Sequence, residues 1–164
     1  SFDEVILATH SDTALTLLAD ATDAEQEVLG ALPYQENETV LHTDASVLPR
    51  RRLAWAAWNY HLGRDDTQPV GVTYNMNLLQ GLDAPETFCV SLNQNGAVAP
   101  DRVIRRIRYH HPVYTRAGIL AQRRHSEISG VNHTHFCGAY WGYGFHEDGV
   151  KSALAVTRAF GEEL

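Results

Sequence analysis

Apolar positions recur along this chain with two different periods, and the change of period divides it into stretches. An apolar run opens the sequence: residues 2–9 (FDEVILAT) predict a buried strand. Ser11 then stands where a cap belongs, before a helix over 12–19 with Ala14, Leu15 and Leu18 on one face. Thr22 to Glu25 has capping-box spacing, ahead of a helix that buries Val28, Leu29 and Leu32 and stops at Pro33.

From there the period falls to two. Residues 39–42 predict a short strand, as do 54–62, 70–78 and 87–92. Along 54–62, Trp55, Ala57, Asn59 and His61 share one face, and Ala56, Trp58, Tyr60 and Leu62 the other. Along 70–78, Val70, Val72, Tyr74, Met76 and Leu78 oppose Gly71, Thr73, Asn75 and Asn77. Turn formers separate these runs at 63–66, 83–85 and 93–96. Residues 102–110 fit either a strand or a helix, and Pro112 ends them in both cases. A helix over 116–128 and a strand over 133–137 follow. A glycine-rich stretch, 138–149, then leads into a last helix over 149–160 with Val150, Ala153, Leu154, Thr157 and Phe160 on one face. The expected fold class is α+β, with a mixed, mostly antiparallel sheet and flanking helices.

Composition narrows the function classes. The 164 residues carry a net charge of −7, which argues against long-range attraction to nucleic acid. The charge is segregated, because residues 1–49 hold ten acids and no Lys or Arg, and residues 102–124 hold seven Arg and no acid. A solvated face paired with the acidic part of the fold is the expectation for the Arg segment, rather than an anion site. No apolar run has the length of a membrane span. Cys89 and Cys137 are too few for a disulfide framework, which suggests buried free thiols and a cytoplasmic setting. A core strand so close to Ser1 suggests a chain cut from something longer.

The glycine-rich loop is the most informative segment. Glycines let a backbone turn tightly and let a ligand approach its amides, and a helix start favours an electron-rich group. The dinucleotide fingerprint G-x-G-x-x-G is absent, since Glu147 stands where its third glycine would fall. On spacing alone, a ligand loop and a simple chain reversal are equally served.

The stretch FCGAYWGYGFHEDGVKSAL (136–154) resembles the C-terminal flavin-contact motif of FAD-dependent amine-oxidase-like oxidoreductases. The opening FDEVILATHSD (2–12) resembles their strand returning from the substrate domain, and HTDASVLPRRRLAWAAWNYHLG (42–63) is similar to a bacterial subgroup known as predicted NAD/FAD-binding proteins. The resemblance covers nearly the whole chain but only the C-terminal part of such a protein.

It implies three parts: a returning strand and helices (1–32), a β-rich substrate domain (33–128), and the closing FAD-contact strand, loop and helix (129–164). It further implies FAD as cofactor, the missing N-terminal half of the same polypeptide as partner, and a small-molecule substrate oxidised by hydride transfer to flavin. Gly138, Ala139 and Tyr140 would pass the ribityl–pyrophosphate region. Tyr143 and His146 would border the flavin edge, Gly142 and Gly144 would belong to the same cofactor-binding loop, and Glu147, Asp148, Gly149 and Val150 would present helix-start amides to the ring. Tyr143 and His146 come nearest to catalytic positions, and no catalytic residue is assigned. Ala139 departs from the pattern, in which many relatives carry an acid. Trp55, Trp58 and Tyr74 would line the substrate cavity. The N-terminal nucleotide-binding βαβ unit has no counterpart here.

Two other functions compete. One is a non-enzymatic α+β binding or interaction module using the aromatic strands. The other is a zinc hydrolase with His133, His135 and Cys137 on one strand face, with Asp44, His61 or His146 imaginable as a further ligand.

Overall fold

The computed structural model describes residues 2–62, 70–94 and 96–162. The turn predicted at 63–66 lies outside the described residues, as does Asn95 of the turn at 93–96. The fold is α+β, with helices, a five-stranded, mostly antiparallel sheet and a small parallel pair. The chain forms two compact units: residues 1–35 with 111–164, and residues 36–110.

In the first unit, β1 (Val5–Leu7) pairs in parallel with β7 (Thr134–Phe136), Leu7 opposite Phe136. β1 is shorter than the apolar run predicts and is not buried: Val5 is 43% and Ile6 49% exposed. A strand with one neighbour packs only where it meets helices, here at Leu7. Helices α1 (Ser11–Leu17), α2 (Asp23–Gly30), α4 (Arg116–Gln122) and α5 (His125–Ile128) build the core of Ala14, Val28, Leu29, Leu32, Ala121, Ile128, Phe136 and Tyr140.

Ser11 is not the cap of α1. His10 holds that position, and Ser11 is a buried first-turn residue whose N–H and hydroxyl both donate to Tyr34 Oη, at 2.9 and 3.2 Å. The capping box at Thr22 forms as its spacing predicts: the Thr22 amide and hydroxyl donate to Glu25 Oε2, and the Glu25 amide donates back. The predicted helix over 116–128 breaks into two at Arg123–Arg124.

The second unit carries the sheet in the order β3-β4-β5-β2-β6, with β2 (Tyr34–His42), β3 (Trp58–His61), β4 (Gly71–Asn75), β5 (Cys89–Leu92) and β6 (Val103–Pro112). The ambiguous segment at 102–110 is thus a strand. Two strands are shorter than their alternation suggests. Arg52–Ala54 forms a 3-10 turn, so β3 starts only at Trp58. The Asn75 side chain accepts the Leu78 amide and starts helix α3 (Met76–Gln80), which takes Met76 and Leu78 out of the sheet.

One sheet face is covered, and it is the more polar one: His42, Asn59, Thr73, Asn75, Cys89 and Ser91 are all buried. The opposite face keeps Trp58 and Tyr60 exposed and Val72, Tyr74, Val90 and Leu92 half-buried.

Three of the seven Arg of the Arg-rich segment pair with acids from the N-terminal part of the sequence. Arg106 and Arg108 meet Glu38 and Glu36, and Arg124 meets Glu27 and Glu127. Both cysteines are buried free thiols, and burial pushes the Cys89 thiol up to about 11. No described helix is long and apolar enough to cross a membrane.

Candidate functional site

The glycine-rich loop leaves β7, makes a 3-10 turn at Ala139–Trp141 and enters α6 (His146–Arg158). The helix begins three residues before its predicted start, which places Gly149 inside its first turn. Its inward side carries Gly149, Ser152, Ala153 and Val156, while Val150 and Phe160 are exposed. Small residues are needed there, because the buried Ser152 hydroxyl ties α6 to the strand end. Ser152 Oγ accepts the Gly138 amide at 2.8 Å and donates to the Gly149 carbonyl at 2.8 Å.

Three of the loop glycines are required by this chain's own side chains. A Cβ on Gly138 would stand 2.5 Å from the Tyr140 ring, and one on Gly142 would stand 2.4 Å from the Asp148 carboxyl carbon. Gly144 has φ +84°, and a Cβ there would meet the Tyr114 hydroxyl at 2.6 Å. Gly149 differs, since its nearest neighbours, in Ala139, lie at 3.9 and 4.0 Å.

Asp148 organises the helix start. Its Oδ2 accepts the amides of Tyr143 (2.9 Å) and Phe145 (3.0 Å), so an anion sits where the helix dipole favours one. Gln122 holds the other side of the loop, its Nε2 donating to the carbonyls of Tyr140 (2.9 Å) and Gly142 (2.7 Å). His125 donates from Nε2 to the Phe136 carbonyl at 2.7 Å and meets the Trp141 ring edge-on. A cleft of about 280 Å3 lies among Gln122, His125, Trp141, Asp148 and Lys151. Neither Gln122 nor His125 is visible as a site residue in the sequence, because each reaches the loop from helices far away along the chain.

The predicted cofactor residues divide by depth. Tyr140 belongs to the hydrophobic core, and burial raises its phenol well above the usual range. Neither its hydroxyl nor the buried Trp141 indole N–H has a hydrogen-bond partner among the described residues. Gly138, Ala139, Gly142, Asp148 and Gly149 are half-buried, and Tyr143, Gly144, His146, Glu147 and Val150 are exposed. Tyr143, Phe145 and Val150 thus leave an apolar rim around the start of α6.

Of the predicted substrate residues, Trp58 and Tyr74 come together across β3 and β4, with ring centroids 5.4 Å apart and nearly perpendicular. Burial raises the Tyr74 phenol. Trp55 lies off the strand, its indole N–H donating to the Pro49 carbonyl and its ring under the Arg52 guanidinium.

The proposed zinc ligands do not share a strand face. Asn132 and His133 have φ of 51° and 57° and form the tight turn before β7, so His133 sits on the turn. Both imidazoles engage Glu4 instead: His133 Nδ1 lies 2.9 Å from Oε1 and His135 Nε2 3.2 Å from Oε2. Hydrogen bonding from His133 is the main cause holding the Glu4 carboxyl below its usual range. Among the described residues, no group of three or more His, Cys, Asp or Glu is placed to hold a metal.

No family model matches the chain, and no curated protein matches it. Among solved structures it is similar to a protein from Exiguobacterium sp. 255-15 provisionally assigned as a protoporphyrinogen oxidase. The match has a TM-score of 0.57 at 15% identity and covers 96% of this chain. At that identity the likeness establishes the fold alone. This chain spans 41% of the length of that one.

Proposed function

We propose that this chain is the C-terminal portion of an FAD-dependent oxidoreductase of amine-oxidase type, supplying the closing strand, loop and helix of the flavin site and much of a substrate-binding sheet. The observation that carries this reading is the parallel pair β1–β7, which runs into the glycine loop and α6. Parallel strands are ordinarily covered on both faces within larger sheets. Here Val5 and Ile6 stand exposed beside one neighbouring strand among the described residues, as strands of a larger sheet would if the rest were supplied by the remainder of the polypeptide. The likeness to 41% of a chain assigned as an oxidase supports a partial domain of an oxidoreductase.

The loop fits one edge of such a cofactor. FAD, when bound, supplies hydride acceptance, and the protein supplies orientation and exclusion of water. The half-buried backbone at Gly138 and Ala139 and the first turn of α6, at Glu147 to Val150, would hold it. The first amides of a helix have no intrahelical partners, and in α6 these are His146 and Glu147, since the Asp148 and Gly149 amides already donate to the Phe145 carbonyl. Tyr143, Phe145 and Val150 offer apolar surface to a planar ring. Trp58 and Tyr74 give the substrate an aromatic wall, which suits an apolar molecule.

These residues make only a part of an FAD site, since the chain has no nucleotide-binding βαβ unit. The 164-residue chain titrated into FAD is therefore expected to leave flavin fluorescence unchanged at micromolar concentration. Stoichiometric binding in that range would contradict the proposed division of the site.

A further inference from the structure

A continuous row of polar side chains crosses the covered face of the sheet, on residues the flavin reading does not use. His42 Nε2 lies 2.8 Å from Ser91 Oγ, Ser91 Oγ lies 2.7 Å from Thr73 Oγ1, and Thr73 Oγ1 lies 3.1 Å from His61 Nε2. His42, Ser91 and Thr73 are fully buried, and His61 is half-buried at the β3 edge.

One further contact gives the row a direction. The Asp44 amide, which can only donate, lies 3.1 Å from His42 Nδ1. Nδ1 must therefore accept, and a neutral His42 carries its proton on Nε2. That proton is donated to Ser91. The Ser91 hydroxyl then donates to Thr73, and the Thr73 hydroxyl donates to His61 Nε2. Each buried group is satisfied in this order and in no other, because a Ser91 proton turned toward His42 would meet another N–H. We propose that His42, Ser91, Thr73 and His61 form a one-way hydrogen-bond relay, a pH-sensitive lock in which the fixed tautomer of His42 opposes protonation of His61 across the sheet.

The opposition follows from counting protons. A protonated His61 donates from Nε2, so Thr73 must accept from it and turn its own hydroxyl toward Ser91. Ser91 then accepts from both sides, and its proton has no acceptor at a fully buried position. Acid therefore has to break the relay before it can charge the β3 edge.

The surrounding groups leave this order standing. At the His42 end, β5 presents the Cys89 thiol and the turn after β2 presents the Asp44 carboxylate, which is engaged by the Ser46 and Ala99 amides. At the His61 end, the described neighbours on β4 and after β5 are Gly71, Thr73 and Gln94, none of which titrates. Burial is the main cause lowering both imidazoles below their ordinary value, and at His42 it outweighs the Asp44 charge.

The test is nitrogen NMR of the histidine rings in the 164-residue chain. At neutral pH, His42 is expected as the Nε2–H tautomer and His61 as the Nδ1–H tautomer, the less common form of a free imidazole. Thr73→Val removes the link, and the His61 pKa is then expected to rise by about half to one unit. If Thr73 instead accepted from His61, the same variant would lower that pKa. An Nε2–H tautomer at His61, or a pKa that falls or stays unchanged in Thr73→Val, would overturn the relay. The tautomers are read in the unmodified chain, so the result stands even if the variant does not fold.

Discussion

Ser152 shows how much of this site depends on single contacts. Its hydroxyl is the only described partner of the Gly138 amide, and it also holds the Gly149 carbonyl. Ser152→Ala leaves that amide half-buried and unmet, so the chain should lose about 1–3 kcal/mol of stability, read as a lower urea midpoint. An unchanged midpoint would mean that the loop does not need the bridge. The glycines at 138, 142 and 144 were recognisable in the sequence as a loop. Their reason was not, because Gly142 is set by Asp148 and Gly144 by Tyr114, contacts that only folding creates. The same holds for His133, whose alternation with His135 suggested one strand face until Asn132 and His133 proved to form a turn.

Among the elements, long periodic segments were legible and their ends were not. The capping box at Thr22 is local chemistry and formed where its spacing placed it. β4 stopped early because Asn75 caps α3, a choice of side-chain hydrogen bond that alternation does not register. Which sheet face is covered was also hidden, since the buried side is the polar one and hydrogen bonds, not hydropathy, make its burial possible. That arrangement has a pH signature. His42 and His61 have folded pKa values below the 6.5 of an unperturbed imidazole, so near and below that pH the unfolded chain binds more protons. Stability is therefore full above pH 6.5 and lost as pH falls from there through the folded values. Urea midpoints taken between about pH 7.5 and 5.5 should fall with acid, and should fall less in Thr73→Val, where His61 titrates closer to its ordinary value. A flat profile would contradict buried neutral imidazoles.

Across the whole molecule, the segregated charge found its explanation in pairing, with Arg106, Arg108 and Arg124 on acidic residues from the N-terminal part of the sequence. What the fold leaves uncovered is apolar: Val5 and Ile6 on β1, Trp58 and Tyr60 on the sheet, and Tyr143, Phe145 and Val150 around α6. A stand-alone binding module would use such surfaces for a partner protein. A flavin oxidoreductase would use them to complete its own cofactor site and substrate wall. Gly149 bears on the choice, because it stands in the first turn of α6 against Ala139, at the place the flavin reading gives to the cofactor. The most direct measurement is the flavin content of the protein expressed from its complete coding sequence, with and without Gly149→Val. Stoichiometric FAD is expected in the unmodified protein and a marked loss in the variant; a protein without flavin, or full flavin occupancy in Gly149→Val, would contradict the reading.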